Sequence, residues 1–277
     1  MKFSTFLSKA INDIIYIPIY QLVYKKKYLK FNIAKIEETI DAVADKNISI
    51  SRFGDGEFKW IHMTEQNSYE IESPKLSKRL LEVLNSTDPM VRICLPQAFR
   101  DPKILTATKY WEREMGKYGS KWSNDPNPEH YYLNTSVTRP YMDLIDKSVA
   151  TYVFNRFKKH LQDKNVLMIE GDQTNFGKEN DLLSNSRKIT RLICPSKNAF
   201  ENYNRILEDA KVRIYEKQID IVLVALGPTA TILAYDLTRL TGKQVLDVGH
   251  MDIEYSWYLN GDTKRVPVKG KAVNEVE

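Results

Sequence analysis

The chain has 277 residues, 42% of them hydrophobic and 28% charged, which is enough for a large core in one domain or in one domain with an appendage. Its net charge of +5 is compatible with nucleic acid, an acidic membrane or an anionic substrate. Because the lysines are spread along the chain and no basic stripe with interleaved aromatics occurs, a nucleic-acid partner is not expected. Cys94 and Cys194 each follow an apolar run, which predicts buried thiols in a reduced, cytoplasmic compartment and argues against a zinc site.

Residues 1–32 form a segment whose composition differs from that of the rest. An apolar, aromatic stretch at 14–24 is interrupted by Pro18 and followed by three lysines. It is too short and too broken for a membrane-spanning helix, and it lacks the cleavage pattern of a secretory signal. Two interpretations stay open. Residues 12–27 lie on an anionic membrane face, or they form a helix packed on the domain or on a partner chain.

After residue 33, helical periodicity alternates with short apolar runs. Helices are predicted at 33–44 and at 73–84, the second with Ser73 as N-cap and Pro74 in its first turn. Two further helices, at 102–115 and 140–161, flank a polar loop from 117 to 134. The predicted strands are 48–51, 91–95, 166–169, 189–193, 221–226 and 244–248. This alternation predicts an α/β fold, Rossmann-like, with a mostly parallel sheet and helices on both faces.

In such a sheet the ligand site lies beyond the carboxyl ends of the strands. The first of these loops, Arg-Phe-Gly-Asp-Gly-Glu at 52–57, sets Asp55 and Glu57 two residues apart, with Gly54 and Gly56 allowing the backbone to approach a ligand closely. Carboxylate oxygens are the ligands that hard divalent cations prefer. An Asp-x-Glu triplet alone is a weak signal, since most are solvated turns.

The strand at 221–226 runs into Gly227, Pro228 and Thr229 and then a helix predicted at 231–240, closed by Gly242. A glycine turn before a helix N-terminus suits a phosphate, because free backbone N–H groups and the positive end of the helix dipole meet there. The alternative is an ordinary tight turn with Thr229 as the helix cap.

Two further loops carry unusual chemistry. The loop from Glu170 to Asp181 is rich in acids, amides and glycines, which suits a hydroxyl-rich ligand or more metal ligands, although a polar surface loop has the same composition. Ser196, after the next strand, is most simply an N-cap. At 249–255, His250, Asp252 and Glu254 occupy alternate positions, so an extended backbone would point all three to one face, where a general base or metal ligand is usually recruited.

In combination these motifs resemble the GT-D glycosyltransferase family. The resemblance rests on the sequence at 52–57, Cys-Pro-Ser-Lys-Asn-Ala at 194–199, Gly-Pro-Thr-Ala at 227–230 and Asp-Val-Gly-His-Met-Asp-Ile-Glu-Tyr at 247–255. It covers about residues 33 to 260. The expected organisation is therefore an N-terminal segment (1–32), a glycosyltransferase domain (33–262) and a polar C-terminal tail (263–277).

The resemblance implies a nucleotide-binding core, a nucleotide-sugar donor of the UDP-glucose type and a divalent metal, Mn²⁺ or Mg²⁺, held by Asp55 and Glu57. The expected donor-binding residues lie on three loops: Arg52, Phe53 and Gly54; Glu170, Gly171 and Asp181; and Gly227, Pro228 and Thr229. Arg52 would contact phosphate, or alternatively pair with a nearby acid.

The general base is expected among His250, Asp252 and Glu254, with no choice among the three. The predicted function is metal-dependent transfer of a hexose from a UDP-sugar to a lipid-linked or protein-linked glycan acceptor in bacterial surface polysaccharide or glycoprotein assembly, at the inner face of the cell membrane. A metal-dependent phosphoesterase and a non-catalytic nucleotide-binding partner are the alternatives. The sugar, the acceptor and the anomeric outcome stay open.

Overall fold

The computed structural model describes residues 3–66 and 69–271. Its strands form one sheet in which every pairing is parallel, in the order β1-β4-β3-β2-β8-β7-β5-β6. The strands are β1 (Asn32–Ile33), β2 (Ser49–Arg52), β3 (Val91–Leu95), β4 (Tyr131–Asn134), β5 (Asn165–Gly171), β6 (Lys188–Cys194), β7 (Ile221–Ala225) and β8 (Gln244–Asp247). The predicted parallel α/β sheet is confirmed. Strand β7 and residues 166–169 of β5 are apolar because both faces of a parallel sheet are covered by helices.

Helices connect and cover the strands. They are α1 (Phe3–Ile19), a π-helical turn (Tyr20–Tyr24), α2 (Lys25–Tyr28), α3 (Ile36–Lys46), α4 (Asp55–Ile61), α5 (Pro74–Leu84), α6 (Gln97–Arg100), α7 (Thr108–Lys117), α8 (Gly119–Trp122), α9 (Ser148–His160), α10 (Tyr203–Glu216), α11 (Gly227–Thr241) and α12 (Met251–Asn260). Short 3₁₀ turns occupy Pro102–Ile104, Thr135–Thr138 and Ala199–Asn202.

Several predicted boundaries differ from the structure. The predicted cap of α5 is confirmed, since the Ser73 side chain accepts a hydrogen bond from the backbone N–H of Leu76 at 3.1 Å. The predicted loop at 117–134 instead contains α8 and ends in β4, which pairs with β3 and β1. The predicted helix at 140–161 begins only at Ser148, and the predicted helix at 231–240 begins earlier, at Gly227. These boundaries depend on partners distant in sequence, which local periodicity does not register.

The N-terminal segment packs on the domain. Tyr20 and Tyr28 are buried, and the Tyr28 ring lies 4.6 Å from that of Phe99, centroid to centroid. Helix α1 runs against α7 so closely that a Cβ at Gly116 would lie 1.9 Å from the backbone oxygen of Tyr16. One side of this segment is therefore packed on the domain, as one of the two interpretations predicted, while its other side stays exposed. No helix within 3–66 and 69–271 has both the length and the apolar character needed to cross a bilayer.

The described part of the C-terminal segment also lies on the domain. The indole N–H of Trp257 donates to the backbone oxygen of Val266 at 3.0 Å, and the Tyr141 hydroxyl donates to that of Asp262 at 3.0 Å. At the end of this segment, Lys271 forms a buried ion pair with Asp252. Residues 261–271 therefore belong to the packed structure and bring the Arg265 side chain to the cavity described next.

Candidate active site

A cavity of about 640 Å³ opens at the carboxyl edge of the sheet. Residues that follow the ends of β2 to β8 all contribute to its wall, as the position of ligand sites in parallel α/β sheets predicts. Because β2 lies beside β8, the 52–57 loop and the 249–255 region meet there, as expected from the sequence. The volume falls within the range of small-molecule and cofactor sites, roughly 300 to 1,000 Å³.

Asp55 and Glu57 both line this cavity, but they lie in the first turn of α4 rather than in an open loop. Glu57 Oε2 accepts the backbone N–H of Gly54 at 2.7 Å, which caps the helix. Asp55 Oδ2 accepts hydrogen bonds from Lys59 Nζ at 2.9 Å and from the Tyr110 hydroxyl. Both carboxylates are therefore oriented by neighbouring groups. Their negative charge suits the helix N-terminus, where the dipole is positive.

The environment of Glu57 disfavours its charged form. Burial raises the pKa of Glu57 to about 7, and the nearby Asp247 adds to the increase, whereas the Gly54 N–H and the Arg52 guanidinium oppose it. The proton and a cation would therefore compete for this carboxylate near neutral pH.

The two carboxylates fit a cation that uses few protein ligands. Within the residues that the structure describes, no group of three or more His, Cys, Asp or Glu side chains could hold a metal ion. Each of the two carboxylates, however, keeps one oxygen that accepts no hydrogen bond from the described residues. Magnesium typically takes one or two protein carboxylates and completes its shell with waters and substrate phosphates. Asp55 and Glu57 thus supply a partial ligand set of that kind.

Arg52 pairs with an acid, as its alternative interpretation predicted. Its guanidinium donates to Asp247 Oδ1 at 3.0 and 3.1 Å and to the Asp247 backbone oxygen at 2.9 Å, and a fourth bond reaches the Thr138 hydroxyl. The pair joins β2 to β8 at the cavity edge, with both side chains largely buried. Gly249 adjoins the guanidinium so closely that a Cβ there would lie 1.9 Å from Nη2.

A chain of alternating charges forms another part of the wall. Arg265 donates to Asp143 Oδ1 at 2.7 Å, Arg139 lies 3.6 Å from Asp143 Oδ2, and Arg139 Nη2 lies 2.6 Å from His250 Nδ1. A guanidinium has donors only, so His250 Nδ1 must accept this bond. In its neutral form the imidazole then carries its proton on Nε2, which makes Nε2 a hydrogen-bond donor.

The grouping of His250, Asp252 and Glu254 on one face is wrong. Met251 begins α12, so these residues follow a helical and not an extended path, and only His250 lines the cavity. Asp252 is buried against Lys271 and the Asn180 amide. Glu254 is also buried. Its Oε2 accepts the N–H groups of residues 141 and 142 at 3.0 and 2.7 Å, while its Oε1 has no partner among the described residues.

Three predicted donor-binding residues also lie away from the cavity. Glu170 is buried in an ion pair with Arg191 and accepts the backbone N–H of Phe176 at 2.7 Å. Asp181 pairs with Lys158 and with the Tyr255 hydroxyl, and these hydrogen bonds lower its pKa. Phe53 is fully buried in the core. An acidic or aromatic residue near a motif can either pair and pack inside the protein or bind a ligand. The motif alone does not show which of these two roles the residue has.

The 227–229 turn reaches the cavity through Gly227 alone. Its φ of +53° is a left-handed conformation that favours glycine. Pro228 is buried and has no N–H to offer a phosphate. The Thr229 hydroxyl donates to Glu70 Oε1 at 3.0 Å, so this hydroxyl uses its proton within the protein rather than on a ligand. Gly54 and Gly171 line the cavity as predicted, and a Cβ at Gly171 would lie 3.0 Å from Ser196.

Several cavity residues carried no signal in the sequence. Tyr110 and Trp111 come from α7, which has the pattern of an ordinary amphipathic helix, and Arg139 directly precedes the helix predicted at 140–161. Ser196, predicted as an N-cap, does not cap a helix and lines the cavity. Gln97 also lines the cavity without a signal in the sequence, whereas Gln173 and Thr174 belong to the 170–181 loop whose composition suggested a ligand site. Only the packing of distant segments brings them together.

Comparison with known proteins identifies the family to which this fold belongs. A family model described as "Glycosyltransferase GT-D fold" matches residues 50–276, which includes the C-terminal segment expected to lie outside the resemblance. "Glycosyltransferase GlyD" of Streptococcus pneumoniae serotype 4 (strain ATCC BAA-334 / TIGR4) is 33% identical over 244 residues, which is 87% of this chain and 29% of that protein. "Probable glycosyl transferase Gly" of Streptococcus gordonii is 31% identical over 249 residues, 89% of this chain and 36% of that protein. The chain thus spans about a third of the length of these curated relatives.

Solved structures give the same result. One, described as "The highly conserved domain of unknown function 1792 has a distinct glycosyltransferase fold", superposes with a TM-score of 0.84 at 35% identity, covering 91% of this chain and 90% of that one. Another, "A New Glycosyltransferase (DUF1792) from Streptococcus sanguinis", gives a TM-score of 0.81 at 33% identity, with 88% and 91% covered. Because the family model spans most of the sequence and the fold agrees along it, the chain belongs to the GT-D fold family of glycosyltransferases.

Proposed function

We propose that this chain transfers a hexose of the glucose type from a UDP-sugar to a glycan acceptor, assisted by Mn²⁺ or Mg²⁺. The observation that supports this is one cavity whose wall carries both Asp55 and Glu57 and the linked Arg139, His250 and Arg265. Carboxylates bind a hard cation, whereas guanidinium and imidazole donors bind phosphate oxygens. A nucleoside diphosphate sugar with its cation needs both kinds of group.

Asp55 and Glu57 are the residues that would hold the cation. When bound, it would supply positive charge to the diphosphate as the bond to the sugar breaks. Lys59 and Tyr110 restrain Asp55 through its Oδ2, and the Gly54 N–H restrains Glu57 through its Oε2. Such hydrogen bonds orient ligating carboxylates and leave the second oxygen of each for the cation.

His250 is the one of the three base candidates that lines the cavity. With Nδ1 accepting from Arg139, its Nε2–H is a donor, so we assign His250 to binding a substrate oxygen rather than to removing the acceptor proton. Arg139 and Arg265 share Asp143, which restrains both guanidinium groups at the wall. The two guanidinium groups are thus already positioned in the wall before a substrate binds. Such preorganised positive charge is what stabilises the negative charge that develops on a leaving group.

The proposed acceptor is a growing surface glycan, linked to lipid or to protein. The lipid-linked form gains support from the N-terminal segment, where residues 12–27 contain exposed apolar side chains beside lysines. Peripheral contact of these residues with the inner face of the cell membrane would bring the enzyme to such an acceptor.

Isothermal titration of a panel of nucleotide sugars, with and without Mn²⁺, tests the proposal. The informative variants are Asp55→Asn and Glu57→Gln, because each keeps the size of the side chain while weakening a cation ligand. Glutamine at the third position of a helix still accepts the N-cap N–H, so the cap of α4 survives. Val212→Ser, an exposed change on α10 outside the cavity, is the matched control.

We expect one UDP-sugar to bind in a Mn²⁺-dependent manner to the wild type and the control, with at least a tenfold loss in both carboxylate variants at unchanged unfolding midpoints. Each tenfold step corresponds to about 1.4 kcal/mol. If the affinity for the nucleotide sugar is the same with and without Mn²⁺ and the same in both carboxylate variants, the proposal is contradicted. Such a result would favour a non-catalytic nucleotide-binding module. Hydrolysis of the nucleotide sugar to a free phosphomonoester would favour a phosphoesterase.

A further inference from the structure

An exposed apolar stripe runs along the N-terminal segment. It consists of Ile11, Ile14, Ile15, Pro18, Leu22 and Val23. Their spacing of three to four residues places most of them along one side of the helical segment. Ile14 and Leu22 are 74% and 86% exposed, so this side has no covering partner among the described residues.

The opposite side of the same segment is bound to the domain. Asp13 forms an ion pair with Arg113 of α7 at 2.9 Å, and the Gln21 amide donates to Glu112 of α7. Tyr20 is buried beside them. A surface helix of a globular protein normally turns its apolar side to the core and its polar side to water. Here polar anchors face the domain, so the apolar stripe is held outward.

Positive charge continues the stripe at its C-terminal end. Lys26, Lys27 and Lys30 are exposed, and Leu29 beside them is 58% exposed. Between Lys9 and Phe31 the sequence contains five lysines and a single acid, Asp13, which is the residue paired with Arg113. The outward side therefore combines apolar and cationic groups without a countercharge of its own.

We propose that the N-terminal stripe and the lysines at its end dock on the surface of an anionic lipid bilayer. A helical segment of this kind inserts its apolar side into the boundary between headgroups and acyl chains. Its lysines are attracted by the negative surface charge of an anionic leaflet, which strengthens binding. A second copy of the chain would cover the apolar residues, but the only acid that its own segment could offer to the lysines is Asp13, which is already paired with Arg113. Charge complementarity therefore selects the bilayer as the partner.

Helix α7 connects this surface to the cavity. Its residues Tyr110 and Trp111 line the cavity, and Gly116, about 8 Å further along the same helix, contacts Tyr16 of α1. Docking would thus bring the cavity close to the bilayer. The benefit of that proximity to a lipid-linked acceptor rests on the proposed function, whereas the docking itself does not.

Sedimentation of the full chain with lipid vesicles tests the docking. The vesicles contain phosphatidylcholine with or without phosphatidylglycerol. Leu22→Ser/Val23→Ser removes part of the stripe, and Lys26→Gln/Lys27→Gln removes two charges. Val212→Ser/Tyr215→Ser changes two exposed apolar residues elsewhere, on α10, as the matched control. All six positions are on the surface, so folding is preserved.

We expect the wild type and the control to bind anionic vesicles, and the Leu22/Val23 variant to lose this binding. The lysine variant should bind about 25-fold more weakly, because each lysine contributes about fivefold to the affinity. Nucleotide-sugar titration on the same samples separates this outcome from a failure of the proposed function. Absence of vesicle binding overturns the proposal. It is equally overturned by equal binding to neutral vesicles, or by a dimer that the Leu22/Val23 variant abolishes, since the stripe would then serve a second copy.

Discussion

Gly249→Ala is expected to destabilise the protein by displacing Arg52. Gly249 has a φ of +43°, and a Cβ at this position would lie 1.9 Å from Arg52 Nη2 and 2.6 Å from its Cζ. The guanidinium cannot move without losing its hydrogen bonds to Asp247, which are 2.9 to 3.1 Å long. Asp247 is nearly inaccessible to water, so it would be left as an uncompensated buried carboxylate.

The magnitude follows from two contributions. An alanine in the left-handed region costs about 1 to 2 kcal/mol. Breaking a buried ion pair by removing one partner costs about 3 to 5 kcal/mol. We therefore expect Gly249→Ala to lower the free energy of unfolding by about 4 to 7 kcal/mol. The matched control is Gly242→Ala at the end of α11, where φ is +66° and nothing lies within 4 Å of the new Cβ, so only the first contribution applies.

Urea unfolding of both alanine variants measures these costs, and a double-mutant cycle assigns the difference between them. In an Arg52→Ala background the new Cβ meets no guanidinium, so the cost of Gly249→Ala should fall to that of Gly242→Ala. The reasoning is refuted if Gly249→Ala costs no more than the control in the wild type. It is also refuted if its full cost persists after Arg52 is removed.

Two further predictions concern buried carboxylates. Burial and the charge of Asp143 raise the pKa of Glu254 from 4.5 to about 8. The folded state therefore binds more protons than the unfolded state between these values, and the free energy of unfolding should fall as pH rises through that window, by at most about 1.4 kcal/mol per pH unit. Urea unfolding across the window should give a shallower slope for Glu254→Gln, and an unchanged slope would contradict the assignment. Separately, Lys271→Met should cost about 3 to 5 kcal/mol because it leaves Asp252 buried and unpaired. Asp252→Asn/Lys271→Met should recover most of this in the same assay, whereas a cost below about 0.5 kcal/mol would mean that the pair is exposed in solution.

Elements that depend on local periodicity were predictable from the sequence. The strands at 166–169 and 221–226 are runs of apolar residues of the length that a doubly covered parallel strand requires, and both are present. The Ser73 cap and the following proline identify the start of α5 directly. In contrast, β1 has two residues and β4 ends a polar loop, so neither shows a periodic pattern.

The region from 249 to 255 illustrates why the rest could not be predicted. Alternate His, Asp and Glu are compatible with an extended strand end, but the chain turns into α12 and buries Glu254 against the backbone of residues 141 and 142. The competing contact is 112 residues distant in sequence. Its contribution is tertiary, and tertiary packing outweighs weak local preferences.

Local sequence patterns therefore suffice to predict the parallel α/β class, the strand-end loops as the lining of the cavity, and Asp55 and Glu57 among the lining residues. Which other groups accompany these two carboxylates depends on the packing of distant segments. Arg139 meets His250 across 111 residues, and Tyr110 reaches Asp55 across 55. Tertiary structure also turned Glu170 and Asp252 into internal ion-pair partners. These differences arise because hydrophobic periodicity specifies each element locally, whereas a charged side chain pairs with the group that the packed elements bring within hydrogen-bond distance.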